Sequence, residues 1–177
     1  MNRKALTQFI APFYADKDIM HDLWHIELVE KTMHKIVEAG GYQVDEEILA
    51  LAAAFHGFVY LAEDEIRRWM EEQGYSRDMI DRVVTAAWES QRSEIPQTLE
   101  GKILHDAHVL EGGRQYLVVK TLITGSVRGQ SLQETLKYMR EHVLGKNECW
   151  LPETKPLCEE MNRYADAFYT ELVAALD

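Results

Sequence analysis

Apolar side chains recur along most of this chain at spacings of three and four, the spacing of helices that bury one face. In the second predicted helix, from Lys17 to Ala39, the residues Ile26, Val29, Met33 and Ile36 keep that period, and Gly40-Gly41 ends it. The next, from Asp45 to Tyr60, is apolar nearly all round, which predicts a central, buried helix. Glu63 to Glu72 reads as amphipathic and charged, and Ser76 to Ser90 carries Met79, Ile80, Val83, Val84 and Ala87 on one side. Thr98 is placed to cap a helix reaching Leu110, which Gly112-Gly113 stops. Tyr116 to Ile123 continues as an apolar helix. Ser131 and Glu134 have capping-box spacing and open a helix to Leu144, and Leu157 to Leu176 forms the last one. Strand-like alternation is scarce. The pattern predicts an all-α fold, one bundle of eight or nine helices.

Against this pattern a few polar residues point inward. Asp106 lies between Ile103 and Leu110 on an apolar face, and His56 sits inside the most apolar helix. His25 shares a face with Val29 and His21, while His34 points the other way. A buried unpaired carboxylate or imidazolium costs several kcal/mol, of the order of 3–5, so such groups need partners. Hydrogen bonds within the core would serve each of them singly. A cation shared by two histidines and an aspartate would serve all three at once, and nitrogen and oxygen donors of this kind suit several divalent metals.

Composition narrows the function classes. The chain has 177 residues, 46% hydrophobic and 28% charged, as globular domains do. Its net charge of -11 disfavours wholesale nucleic-acid binding but leaves room for a small phosphorylated ligand held by local cations or a metal. Cys149 and Cys158 form no CxxC pair and read as ordinary reduced thiols. The chain shows no leader-like apolar run and no stretch of roughly 18 apolar residues, so no membrane association is predicted and the expected address is cytoplasmic.

Three segments carry a resemblance. His21-Asp22-Leu23-Trp24-His25-Ile26, Leu51-Ala52-Ala53-Ala54-Phe55-His56-Gly57 and the run from Thr98 through His105-Asp106-Ala107 to Leu110 resemble, in order, spacing and helical setting, the motifs of the HD-domain superfamily of metal-dependent phosphohydrolases. The resemblance implies one HD-like helical domain over residues 1–177, its motif-bearing core at about 17–113 and a helical C-terminal extension over 114–177. It implies a divalent metal (Mn, Fe, Zn, Ni or Mg) on His25, His56 and Asp106, and a phosphate-ester substrate such as a small phosphorylated molecule or nucleotide. His21, one turn before His25, stands as an accessory ligand or substrate contact, and Lys102 and Arg114 as phosphate contacts; the oligomeric state stays open.

The departures matter as much. Gly57 stands where the family has the aspartate of its His-Asp doublet, Leu28 where many relatives have arginine, and Trp88-Glu89-Ser90 lacks a histidine that some relatives place there. Two alternatives to hydrolysis therefore stand: an inactive relative that binds a ligand or partner, and a two-histidine, one-carboxylate centre with other chemistry. Asp22 is read as a solvated first-turn acid, His105 and His108 as surface or interhelix residues, and Glu63, Glu65 and the Arg67-Arg68 pair as a solvated charged face.

Overall fold

A computed structural model describes residues 1–176, and within them the chain forms nine helices and no strand. These are α1 (Arg3–Tyr14), α2 (Leu23–Gly40), α3 (Glu46–Phe55), α4 (Val59–Glu72), α5 (Arg77–Glu89), α6 (Leu99–Leu110), α7 (Gly113–Val127), α8 (Leu132–His142) and α9 (Lys155–Leu176). No described helix is long and apolar enough to cross a membrane. The helix starts follow local chemistry. Asp22, Asp45, Ser76, Thr98 and Ser131 each accept a hydrogen bond from a free N–H of the first turn, and Ser131 and Glu134 close a reciprocal capping box.

Two of the boundaries that differ from the periodicity shape the site. α2 begins at Leu23 rather than Lys17, because Asp22 caps it while Asp18 turns the preceding residues through bonds to the Met20 and His21 amides. The apolar run from Asp45 to Tyr60 is not one helix. α3 stops at Phe55, the chain turns over residues 56–58, and α4 restarts at Val59. Leu51 to Phe55 on one side and Phe58 and Val59 on the other are all buried, so apolarity runs straight through the break and hides it. His56 thus sits at a helix end, where its ring can leave the α3 face.

The larger core is built by α1 to α6 and Leu151, with α6 packed against α2, α3 and α5. A smaller core joins Val118, Met139, Val143 and Ala165 from α7, α8, the turn after α8, and α9. Between α6 and α7, Gly112 and Gly113 have φ of 64° and 77°, left-handed values that favour glycine. That turn presents Glu111 inward, 3% exposed, at the seam between the two cores.

Candidate metal centre

His25 in the first turn of α2, His56 at the end of α3 and His108 near the end of α6 meet at one place, with ligand nitrogens all within 4.8 Å of one another. Their rings are 4.9 to 5.4 Å apart, centroid to centroid. The proton positions follow from fixed partners. His56 Nδ1 lies 2.5 Å from the Ala53 carbonyl, to which it donates, so its Nε2 carries a lone pair. His25 Nδ1 bonds the Glu111 carboxylate, which leaves its Nε2 bare as well. These two Nε2 atoms face each other at 2.9 Å. Ser90's carbonyl lies against His108 and favours a proton on it.

Two lone pairs at that distance repel unless something positive lies between them. A proton is a poor candidate. Burial, with Lys120 and other cations nearby, holds His25 down to about 2, and burial together with His25 holds His56 down to about 3. Burial and His56 likewise push His108 well below the usual histidine range. A metal ion fits: two nitrogens bound to one zinc at about 2.0–2.1 Å in tetrahedral geometry stand about 3.3 Å apart. Each imidazole also has the outer partner that metal-bound histidines use to fix their tautomer: Glu111, the Ala53 carbonyl and the Ser90 carbonyl. The three-histidine cluster could hold a metal ion.

Asp106 is not brought to this cluster. It is fully buried, as expected of a core-facing acid, but on another side of α6. Its oxygens accept from the Trp150 and Leu151 amides at 2.9 Å and from the Thr154 hydroxyl at 2.5 Å, which ties down the segment leading into α9. His108, expected at the surface or between helices, is the α6 residue that reaches His25 and His56. The helical wheel failed here because α6 is packed on several sides, so an inward direction does not say which neighbour is met.

The remaining expected residues divide. His21 lies beside the cluster, its ring 5.9 Å from His25 and its Nδ1 2.9 Å from Asp18. Lys102 lies in the first turn of α6, and Arg114 ion-pairs with Glu160 at 2.6 Å in a separate groove. The cations at the centre are two the sequence reading did not select. Lys120 of α7 ion-pairs with Glu111, the carboxylate that holds His25. Lys17 donates to the Gly57 carbonyl at 2.6 Å. A Cβ on Gly57 would stand 2.6 Å from Tyr14 Oη and 3.0 Å from Lys17 Nζ, so a tyrosine and an ammonium group fill the space a side chain there would take. Lys120 had a signal: it is the lone charge in the apolar run from Tyr116 to Ile123. Glu63 joins Arg67 and Trp88 in a network away from the centre.

The centre opens into a cleft of about 500 Å³ lined by His21, His108, Glu111 and Lys120 at its inner end. Arg92, Arg128 and Lys146 also line it, so four cations stand against Glu94, Glu111 and Glu148 on a chain whose net charge is -11. Three buried polar atoms of its wall, Tyr116 Oη, Thr124 Oγ1 and Trp150 Nε1, have no hydrogen-bond partner in the protein. Buried polar groups are nearly always paired, so these three are hydrogen-bonding groups that the protein itself leaves unused.

No family model matches the sequence, and no curated protein sequence matches it. Two solved structures share its architecture. The crystal structure of Bacillus subtilis YpgQ in complex with ADP is 18% identical and superposes with a TM-score of 0.73 over 94% of this chain and 95% of that one. The crystal structure of the Lin1889 protein from Listeria innocua is 21% identical, with a TM-score of 0.72 over 99% and 98%. At such identities the likeness concerns the fold, and this chain has the all-helical fold of those two proteins along nearly its whole length.

Proposed function

We propose that the chain is a metal-dependent phosphohydrolase of the HD type, acting on a small phosphorylated molecule of nucleotide size. The observation that carries this reading is the convergence of three imidazole lone pairs at the inner end of a cationic cleft. The ADP bound by the structurally similar YpgQ agrees with a nucleotide as the ligand class. His25, His56 and His108 would hold the ion, with His108 in the role expected of Asp106. A divalent ion there supplies Lewis acidity toward a phosphoryl oxygen and lowers the pKa of a coordinated water.

The chain's own residues supply the rest. Lys120 and Arg128 meet phosphate oxygens, and Tyr116, Thr124 and Trp150 offer hydrogen bonds deeper in the wall. Asp18 holds the His21 ring through Nδ1, which leaves Nε2 to take or return a proton in the cleft. With no acid at position 57, this Asp18–His21 pair carries the proton handling that the family's aspartate supports elsewhere.

The test is a panel of nucleoside mono-, di- and triphosphates and simple phosphomonoesters and diesters, run on chelator-treated protein reloaded with Zn, Ni, Fe, Mn or Mg. Turnover that His56→Ala and His108→Ala both abolish supports the reading; no turnover with any ion overturns it. The replacement of an acid by Gly57 and Lys17 favours a second reading, a non-hydrolytic nucleotide-binding relative. Saturable ADP binding without turnover would establish that one.

Two further outcomes are expected. Burial pushes the Glu111 carboxyl up and Lys120 beside it pulls it down. Lys120→Met removes the cation that holds the Glu111 carboxylate beside His25 Nδ1, so the outer partner that orients the His25 ring is no longer fixed. Metal affinity should fall by about 10–100-fold, read by chelator competition. Trp150→Phe keeps an aromatic side chain but removes the pyrrole half of the indole together with its N–H donor. It should raise KM by about tenfold with kcat within about twofold, the mark of a contact made equally in ground and transition states.

A further inference from the structure

We propose that the His25–His56–His108 centre selects a late first-row transition ion such as zinc and rejects magnesium, calcium and manganese. The inference rests on the metal-site reading above and deepens it by naming the ion class. The ligand atoms that meet at the common point all belong to imidazoles. The carboxylates close by are engaged elsewhere. Glu111 bonds His25 through Nδ1, on the far side of the ring from the shared Nε2, and also pairs with Lys120. Asp106 is saturated by the 150–154 segment, and Asp18 is held by His21 and the Met20 amide. Gly57 brings no side chain, and the ammonium of Lys17 stands over it.

Hard ions fare badly in such a setting. Magnesium, calcium and manganese are held chiefly by the charge of carboxylate oxygens, and here those carboxylates are engaged elsewhere while Lys17, which bonds a carbonyl and not an acid, repels a cation. Imidazole nitrogen binds zinc, nickel and copper through softer, more covalent bonds that need no compensating negative charge. The same donor set leaves the ion's positive charge unquenched, which suits a centre whose cleft collects anions.

The full chain, stripped with chelator and dialysed, would be titrated with Zn, Co(II), Mn and Mg against a chromophoric chelator. Zinc should bind at least about a thousandfold more tightly than manganese, with no magnesium binding at millimolar concentration. Co(II) should give the intense visible absorption of a low-coordinate nitrogen site, lost in His108→Ala and kept in Thr154→Val. His108→Gln, closer in volume, serves if the alanine variant does not fold by circular dichroism. Manganese affinity within tenfold of zinc, no binding of any ion, or a Co(II) spectrum indifferent to both His108 variants would overturn the proposal. Zinc selectivity without phosphate-ester turnover would leave it standing and remove the hydrolase reading. Turnover in manganese-loaded protein without zinc preference would do the reverse.

Discussion

Asp106→Ala is expected to destabilise the protein by about 3–5 kcal/mol while leaving metal affinity within a few-fold of the parent. The carboxylate takes three donors from one segment: the Trp150 and Leu151 amides and the Thr154 hydroxyl. Leu151 and Thr154 are buried, so the alanine leaves donors that water reaches poorly, at about 1–3 kcal/mol each. Against a typical total of about 5–15 kcal/mol, that is a large fraction of the stability. Urea unfolding monitored by circular dichroism measures the loss, and chelator competition with zinc on the folded variant measures the affinity. Thr154→Val, which removes one hydroxyl shared between Asp106 and the Leu151 carbonyl, should cost about 1 kcal/mol. A variant that keeps its unfolding midpoint but loses zinc would return Asp106 to the role of ligand and remove it from the role of anchor.

That experiment addresses the point at which sequence and structure part. Residues whose role is local could be read directly: Thr98 and the Ser131–Glu134 pair announce helix starts because a cap needs only its own first turn. His25 and His56 could be recognised as polar groups facing the core, and both are 2% exposed. Which neighbours they face is a property of packing. Asp106 and His108 lie on different sides of a helix that is covered by α2, α3, α5 and α9, so a wheel with one inward face turns His108 outward and cannot assign Asp106 to a partner. The break at residues 56–58 was hidden by continuous apolarity. Glu111 and Lys120 reach His25 from 86 and 95 positions along the chain, and only the glycine turn at 112–113 and the lone lysine of α7 hint at them.

Acidification of the metal-free protein should destabilise it steeply, beginning near pH 6.5. An unfolded histidine titrates near 6.5, whereas the folded chain holds His25 at about 2, His56 at about 3 and His108 well below its usual value. Between those values the unfolded chain binds protons that the folded chain refuses, so stability rises with pH across this window and is lost as pH falls. At pH 5.5 each such histidine costs about 1.4 kcal/mol relative to pH 8, or about 4 kcal/mol for the three. Glu111 and Glu30 act in the opposite sense, because burial raises both and the folded state takes up their protons first, which trims the loss. Asp18, Glu47 and Glu63, all held low by their partners, add losses only at more acid pH. Urea midpoints at pH 8, 6.5 and 5.5 in chelator read the effect, and His56→Gln should reduce it by about a third. Midpoints unchanged down to pH 5.5 would mean that the imidazoles accept protons in the folded state, which their burial and the cations close by argue against. Saturating zinc should raise the midpoint at all three pH values, since it binds the folded state, and leave the onset near pH 6.5, which the unfolded histidines set.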